Sequence, residues 1–353
     1  MTIAPPRPAR RVVRRPHITL GLLLVACVIA VILSVAVGSV GIPPGRVVDV
    51  IGAHLLPGGG ERGTALDDRI VWEFRLPRAL LGFVVGAALA VAGAVLQAVV
   101  RNPLADPFVF GVSSGASVAA VAALTLTTGL FAAVSTPVAA FIGAFATTVL
   151  VFVLAQQGGR VTPNRLVLAG VAMSYLLSSI TSYLVLRSSG PGQGVGQVLS
   201  WLSGSLAAAT WGDLGVPALV LLLATALLVL LAPVLNAFLT GDETAASLGV
   251  DVGRVRLGLF LITSLLVGVV VAVSGSIGFV GLVVPHAVRM VIGSDHRWVL
   301  PASALAGGLL LVVVDIAARV VLAPTEVPVG LLTAVVGAPF FLWLLRRSGR
   351  RGR

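Results

Sequence analysis

The chain has 353 residues, of which 58% are hydrophobic and only 10% charged, and its formal charge is +11. A soluble domain carries roughly 25% charged residues and needs polar surface to cover its core. Composition therefore excludes a soluble enzyme, a disordered chain and a fibrous one, and with a mean hydropathy of +1.08 leaves an integral membrane protein.

A membrane-crossing helix needs about 20 mostly apolar residues, and ten such runs follow one another. A basic tail over residues 1–17 leads into Ile18–Gly38. Leu24-Val25-Ala26-Cys27 resembles a lipoprotein cleavage site, but the apolar run continues to Gly38, which reads as an uncleaved helix. Next come Ala79–Val100, Val109–Thr128, Pro137–Leu154, Leu166–Leu186 and Leu214–Leu235. The last four are Leu257–Val273, Ile277–Ile292, Val299–Ala318 and Val327–Leu345, and a basic tail over 346–353 closes the chain. Ile277–Ile292 is the weakest: it is short, holds Pro285, His286 and Arg289, and is tied to its predecessor by Ser274-Gly275-Ser276, so nine spans is the competing count. The second span carries a stripe of small residues four apart, Gly82, Gly86, Ala90, Ala94 and Ala98, which predicts close helix packing. The expected fold is all-α and polytopic, one transmembrane domain over 18–345.

With ten spans both termini share a side. Seventeen arginines then lie with the termini and seven on the other face (Arg46, Arg62, Arg69, Arg75, Arg78, Arg187 and Arg319). The positive-inside rule places the termini in the cytoplasm. The arginine-rich ends follow spans directly and lack aromatic partners, so they read as topology anchors, with no nucleic acid as partner.

All 24 basic residues are arginine. Without lysine there is no phosphate loop ending in G-K-[ST], so ATP, if used, is bound by another chain. One Cys and four His exclude a disulfide framework and make a Cys-rich metal site untenable. Gly111-Val112-Ser113-Ser114-Gly115 fits the G-x-S-x-G nucleophile elbow but opens an apolar helix, without the strand-to-helix turn that chemistry needs. The glycine-rich Gly275–Gly281 segment reads as a broken helix lining a cavity rather than a nucleotide loop. His286 reads as structural, with no second ligand at metal-binding spacing.

Between the spans stand several polar words: Arg75-Leu76-Pro77-Arg78, Arg101-Asn102-Pro103-Leu104-Ala105-Asp106-Pro107, Trp201-Leu202-Ser203-Gly204-Ser205, Gly241-Asp242 with Leu248-Gly249, and Gly278-Phe279-Val280-Gly281 running to Pro285-His286. Leu168-Ala169-Gly170, Arg289, Asp295-His296-Arg297, Asp315, Arg319, Glu326-Val327-Pro328-Val329-Gly330 and Gly337-Ala338-Pro339-Phe340 complete them. In this order, from about Trp72 to Leu345, the set resembles the FecCD-type permeases, the membrane subunits of ABC importers for iron–siderophore complexes, haem and vitamin B12.

That resemblance implies a bacterial cytoplasmic (inner) membrane subunit with ten helices and no catalytic residues, cofactor or metal of its own. Its implied partners are a second permease subunit (a copy or a paralogue), two ATPase subunits that bind ATP and Mg, and an extracytoplasmic substrate-binding protein. Arg75, Arg78 and Arg319 read from the residues alone as interfacial anchors or as an anion-binding set; the resemblance makes them the docking pocket for acidic residues of the binding protein. Asp315, four residues before Arg319, reads as a local counter-ion. The polar stretch at about 236–255 holds a short helix with acidic residues at its start. The resemblance makes Gly241, Asp242, Glu243, Ala245, Leu248 and Gly249 the segment that couples to the ATPase. It likewise makes Asn102, Leu104, Thr162 and Asn164 the cytoplasmic gate, although Pro and Asn there also serve as ordinary helix stops. The expected activity is ATP-driven alternating access for an iron chelate, most of all a ferric siderophore; the competing class is an ion-coupled secondary transporter.

Overall fold

The computed structural model describes residues 15–38, 40–56, 63–126, 134–157, 160–188 and 195–349. The arginines at 7, 10, 11, 14, 62, 350, 351 and 353 lie outside the described residues, as does most of each basic tail. Helices dominate, and the described residues hold one minimal ladder, β1 (Gln156–Gln157) antiparallel to β2 (Arg160–Val161).

Each of the ten expected spans falls on helix. Seven are long and apolar enough to cross a membrane by themselves. They are α1 (Pro16–Ala36), α4 (Leu76–Val99, extended back to Ala65), α6 (Thr136–Ala155), α7 (Pro163–Arg187), α9 (Gly215–Leu230, extended back to Trp211), α12 (Val252–Ser274) and α14 (His296–Val320). Two others, α5 (Val112–Thr125) and α13 (Val280–Ile292), are short. At 1.5 Å per residue, α5 covers only about 20 Å, less than the roughly 30 Å hydrocarbon core. Both begin after non-helical backbone that is packed in protein, the condition under which irregular chain is tolerated at membrane depth. A 3-10 turn, Pro107–Phe110, precedes α5, and residues 275–279 precede α13 with Ile277 fully buried. The break in the glycine-rich segment is thus real, and α13 starts at Val280 instead of Ile277. The tenth is α15 (Val329–Gly349).

Four helices escape a search for 20-residue apolar runs. The amphipathic α2 (Pro44–Leu55) buries Val47 and Val50 against Val35, Val71 and Leu76. The others are α3 (Ala65–Asp68), α8 (Val195–Leu202) and α11 (Asp242–Ser247). The expected run Leu214–Leu235 is divided at Leu231, where α10 (Ala232–Thr240) begins. Pro233 lacks the N–H that would bond to Val229, which weakens the ladder at this point. Ahead of α4, residues Arg69–Arg75 form a π-helix in which Leu76 N–H bonds five residues back to Val71. Pro77, next in line, has no N–H to restore the ordinary ladder.

Helix α4 is the axis of the bundle, buried along nearly its whole length and packed on α14, α12 and α13. Its small residues permit this: a Cβ added at Gly86 would meet the Gly307 carbonyl, and one at Gly93 would meet the Gly281 carbonyl. Helices α1, α7 and α9 sit at the edge and expose leucines such as Leu22 and Leu230, as a lipid-facing surface requires.

Candidate functional site

Three sites are built from these elements. At the end where α1 finishes and α4 begins, Asp315 on α14 accepts two N–H bonds from Arg78, at 3.0 Å from Nε and 2.9 Å from Nη2. The same carboxylate lies 3.2 Å from Arg319 Nε. Arg78 also donates to Glu326 at 2.8 Å. Remaining donors go to carbonyls left without partners by the end of α1. Arg319 bonds to Ser34 O, Ser34 Oγ and Val37 O at 2.8–2.9 Å. Arg75 bonds to Val35 O at 2.9 Å and Val40 O at 2.6 Å. Cations suit a helix C-terminus, where the macrodipole is negative. All three arginines therefore do come together, lining a cleft of about 240 Å³ with Phe74 and Glu326. Arg78 and Arg319 are partly buried and committed to Asp315, whereas Arg75 has no carboxylate partner among the described residues. Spacing identified the Asp315–Arg319 contact; the Arg78–Asp315 pair, 237 residues apart, has no local signal.

At the opposite end, α10 and α11 form the segment singled out at 236–255. Gly241 takes φ +117° and Gly249 φ +83°, conformations that a side chain would oppose, so the glycines set both turns around α11. Ala245 packs inward, while Glu243, Leu248 and Gly249 are exposed. Asp242 is paired with Arg256 at 2.9 Å and lies 3.7 Å from Arg101. On the other flank, Asn236 donates to Asp295 at 2.8 Å and accepts from His296 N–H at 3.0 Å, pinning α10 to the start of α14. Burial works against ionisation of Asp295, but the bonds from Asn236 and Arg297 N–H and the charge of Arg297 hold its carboxyl below the usual range. Asn102 accepts from Leu104 N–H at 2.9 Å, a turn that closes the α4–α5 connection. Thr162 precedes α7 and Asn164 lies exposed in its first turn.

The third site holds none of the residues to which the sequence assigned a functional role. A furrow runs along α5 and α7, its two parts of about 490 and 480 Å³ sharing Ser113, Ser114 and Ser178. Ser117, Ser174 and Ser182 extend it, and among the described residues no charged side chain lines it. Ser113 and Ser276 Oγ are 2.7 Å apart, so the serine of the elbow-like pentapeptide faces another serine, not a base. The signal was present as serines four apart, at 113 and 117 and at 174, 178 and 182. Among the described residues no group of three or more His, Cys, Asp or Glu is placed to hold a metal ion.

A many-helix bundle with tightly packed glycine-bearing helices and several apolar spans long enough to cross a bilayer is the architecture of a multi-pass membrane protein. The family model described as the FecCD transport family matches residues 25–347, and the chain belongs to that family. It is 47% identical over 277 residues to a cobalamin import system permease of Halobacterium salinarum, covering 78% of this chain and 73% of that one. A hemin transport system permease of Yersinia pestis is 45% identical, covering 79% and 84%. An Fe(3+) dicitrate transport system permease of Escherichia coli is 44% identical, covering 79% and 85%. A solved metal-chelate type ABC transporter in an inward-facing conformation matches with a TM-score of 0.81 at 31% identity, covering 94% of this chain and 99% of that one. The chain is accordingly a permease of the ABC importer type, a transport subunit.

Proposed function

We propose that this permease carries a ferric chelate, a siderophore complex above all, into the cytoplasm of a bacterium through a passage shared with a second permease subunit. Two partner ATPases supply ATP hydrolysis and engage α10–α11; a binding protein docks at the Arg75 end. The arginine asymmetry supports this orientation, with both termini cytoplasmic. The observation that carries the reading is the uncharged, hydroxyl-lined furrow. A large oxygen-rich chelate is held there by weak, interchangeable hydrogen bonds and can leave again, which a dense charged site would oppose. It lies on α7, the longest edge helix, whose Tyr175 is 75% exposed within the furrow in one chain. An ion-coupled carrier needs a titrating carboxylate at membrane depth; the buried Asp315 is instead held between two guanidinium groups.

The test is uptake of a radio-iron-labelled hydroxamate siderophore by cells expressing the chain with an ATPase subunit and binding protein of its own genome. ATP-dependent accumulation supports the reading. Accumulation by this chain alone under a proton gradient overturns it, and uptake of haem or cobalamin in place of the siderophore reassigns the cargo. Within that assay Ser178→Trp, at an exposed furrow position, is expected to cut uptake about tenfold or more while membrane levels of the chain stay normal. Normal uptake would remove the furrow from the pathway.

Docking has its own probe. Arg75→Glu reverses a charge that no carboxylate among the described residues neutralises, and is expected to weaken capture of the purified binding protein by about tenfold or more. Charge reversal at Arg78 or Arg319 would instead set a carboxylate against Asp315 and test stability first. Capture by the R75E protein equal to wild type rejects the docking role.

A further inference from the structure

Arg256, near the start of α12, sits where three segments of the chain meet. Its side chain is 5% exposed, yet among the described residues only one carboxylate reaches it. Nη2 donates to both oxygens of Asp242, the first residue of α11, at 2.9 Å each. Nη1 donates to the carbonyl of Val161 at 3.0 Å. The guanidinium also lies over the Phe238 ring of α10, 5.5 Å from its centre. Nε is buried without a hydrogen-bond partner.

Val161 is the residue before Thr162, and Asp242 is also approached by Arg101, the residue before Asn102. Arg101 holds a left-handed backbone, φ +54°, rare for a side chain of this kind. One carboxylate at the head of α11 therefore touches both connections that carry the gate residues: the α4–α5 turn through Arg101, and the β2–α7 junction through Arg256. Beneath them Leu96, Phe110, Phe152, Leu166 and Phe260 form a separate apolar cluster that binds these elements into one packed block. A guanidinium suits the position because its planar fork serves two partners at fixed angles, which an ammonium cannot. A shift of α11 by more than a fraction of a hydrogen-bond length must either carry Val161 with it or leave a buried cation unpaired, and the second course is costly.

We propose that Arg256, assisted by Arg101, is the positioning residue that passes movement of the coupling segment to the gate connections at Thr162 and Asn102. The proposal rests on the importer reading above, since the movement originates in a partner ATPase.

The single cysteine makes the test direct. In a Cys27→Ala background, Thr162→Cys is the only thiol, and its rate of labelling by a fluorescent maleimide reports access to the gate connection. In the purified complex with its ATPase subunits, Mg-ATP with vanadate is expected to change that rate by about tenfold or more. With Arg256→Gln added, the complex is expected to keep its ATPase subunits and hydrolyse ATP, while the labelling rate no longer responds to nucleotide. Arg256→Lys, which keeps the charge but not the fork, restores only part of the response; a residue that merely stabilised the fold would lose assembly and hydrolysis together. If R256Q does not assemble, Arg101→Gln with Asn102→Cys as reporter decides the matter, since the Arg101 side chain is 42% exposed and not needed for packing. A nucleotide response of wild-type size in R256Q, or in R101Q where that stands in, overturns the proposal. A wild-type chain that retains no ATPase overturns the importer reading itself, a result distinct from hydrolysis that fails to move the gate.

Discussion

Replacing Asp315 by Asn is expected to lower the stability of the bundle by about 3–5 kcal/mol, the cost of breaking a buried ion pair and leaving charge uncompensated. The Asp315 side chain is 1% exposed and shared by Arg78 and Arg319, themselves 11% and 7% exposed. After the substitution two largely desolvated guanidinium groups retain, among the described residues, a single carboxylate, Glu326, which is 43% exposed and bonds to Arg78. The mutation at Glu326 is the contrast: Glu326→Gln removes a partly solvated partner and is expected to cost only about 0–1 kcal/mol. Combining Asp315→Asn with Arg319→Met removes the orphaned cation as well and should recover part of the loss. Thermal unfolding in detergent, followed by size-exclusion elution of the remaining monodisperse protein, measures all three against the wild type. An unchanged midpoint for D315N would show that water or lipid headgroups already neutralise the cluster.

Gly86→Leu is expected to prevent α4 from seating on α14 and to abolish recovery of folded protein from membranes. The obstruction is backbone, not side chain: a Cβ at Gly86 meets the Gly307 carbonyl, and a Cβ at Gly307 meets the Gly86 carbonyl. No rotamer change relieves it, so the penalty exceeds the roughly 1–3 kcal/mol usual for overpacking a core. Even Gly86→Ala and Gly307→Ala should each show a large fall in thermal midpoint. Between helices in lipid there is little hydrophobic drive to compensate, because lipid tails are as apolar as the side chains they replace. Gly258→Ala, with nothing within 4 Å of the new methyl, is the control and should gain up to about 1 kcal/mol of helix propensity. Fluorescence-detected size exclusion of tagged variants separates these outcomes, and wild-type behaviour of G86L would mean that α4 and α14 pack more loosely than the Gly86–Gly307 approach requires.

Much of the bundle is legible in the residues because lipid simplifies the code: a helix that crosses it must be apolar for most of its length, and each of the ten runs did fall on helix. The stripe of Gly82, Gly86 and the following alanines marked α4 as a packing helix, and α4 became the axis. What was harder to read depended on short or contextual signals. Helix α2 is twelve residues long and interrupted by Arg46, Asp49 and His54, below the length at which apolar content alone speaks. The division at Leu231 falls beside a proline in an otherwise apolar run, a residue that α13 and α14 each carry without dividing. The furrow serines were visible as spacings of four, but such serines also serve helix packing, and nothing local distinguishes the two uses.

The arginine-for-lysine usage, the apolar runs and the polar words between them determined by themselves that this is a many-helix membrane chain, and the order of those words pointed to its family. These are local or compositional properties, carried by residues within a helical turn or a loop of one another. Only the tertiary structure decided that Arg78 belongs to Asp315, that Ser113 meets Ser276, and that Arg256 joins Asp242 to Val161. Each of those partners lies in a different segment, and the three-dimensional packing of the glycine-lined helices, not any spacing along the chain, sets which of many equally compatible polar groups meet.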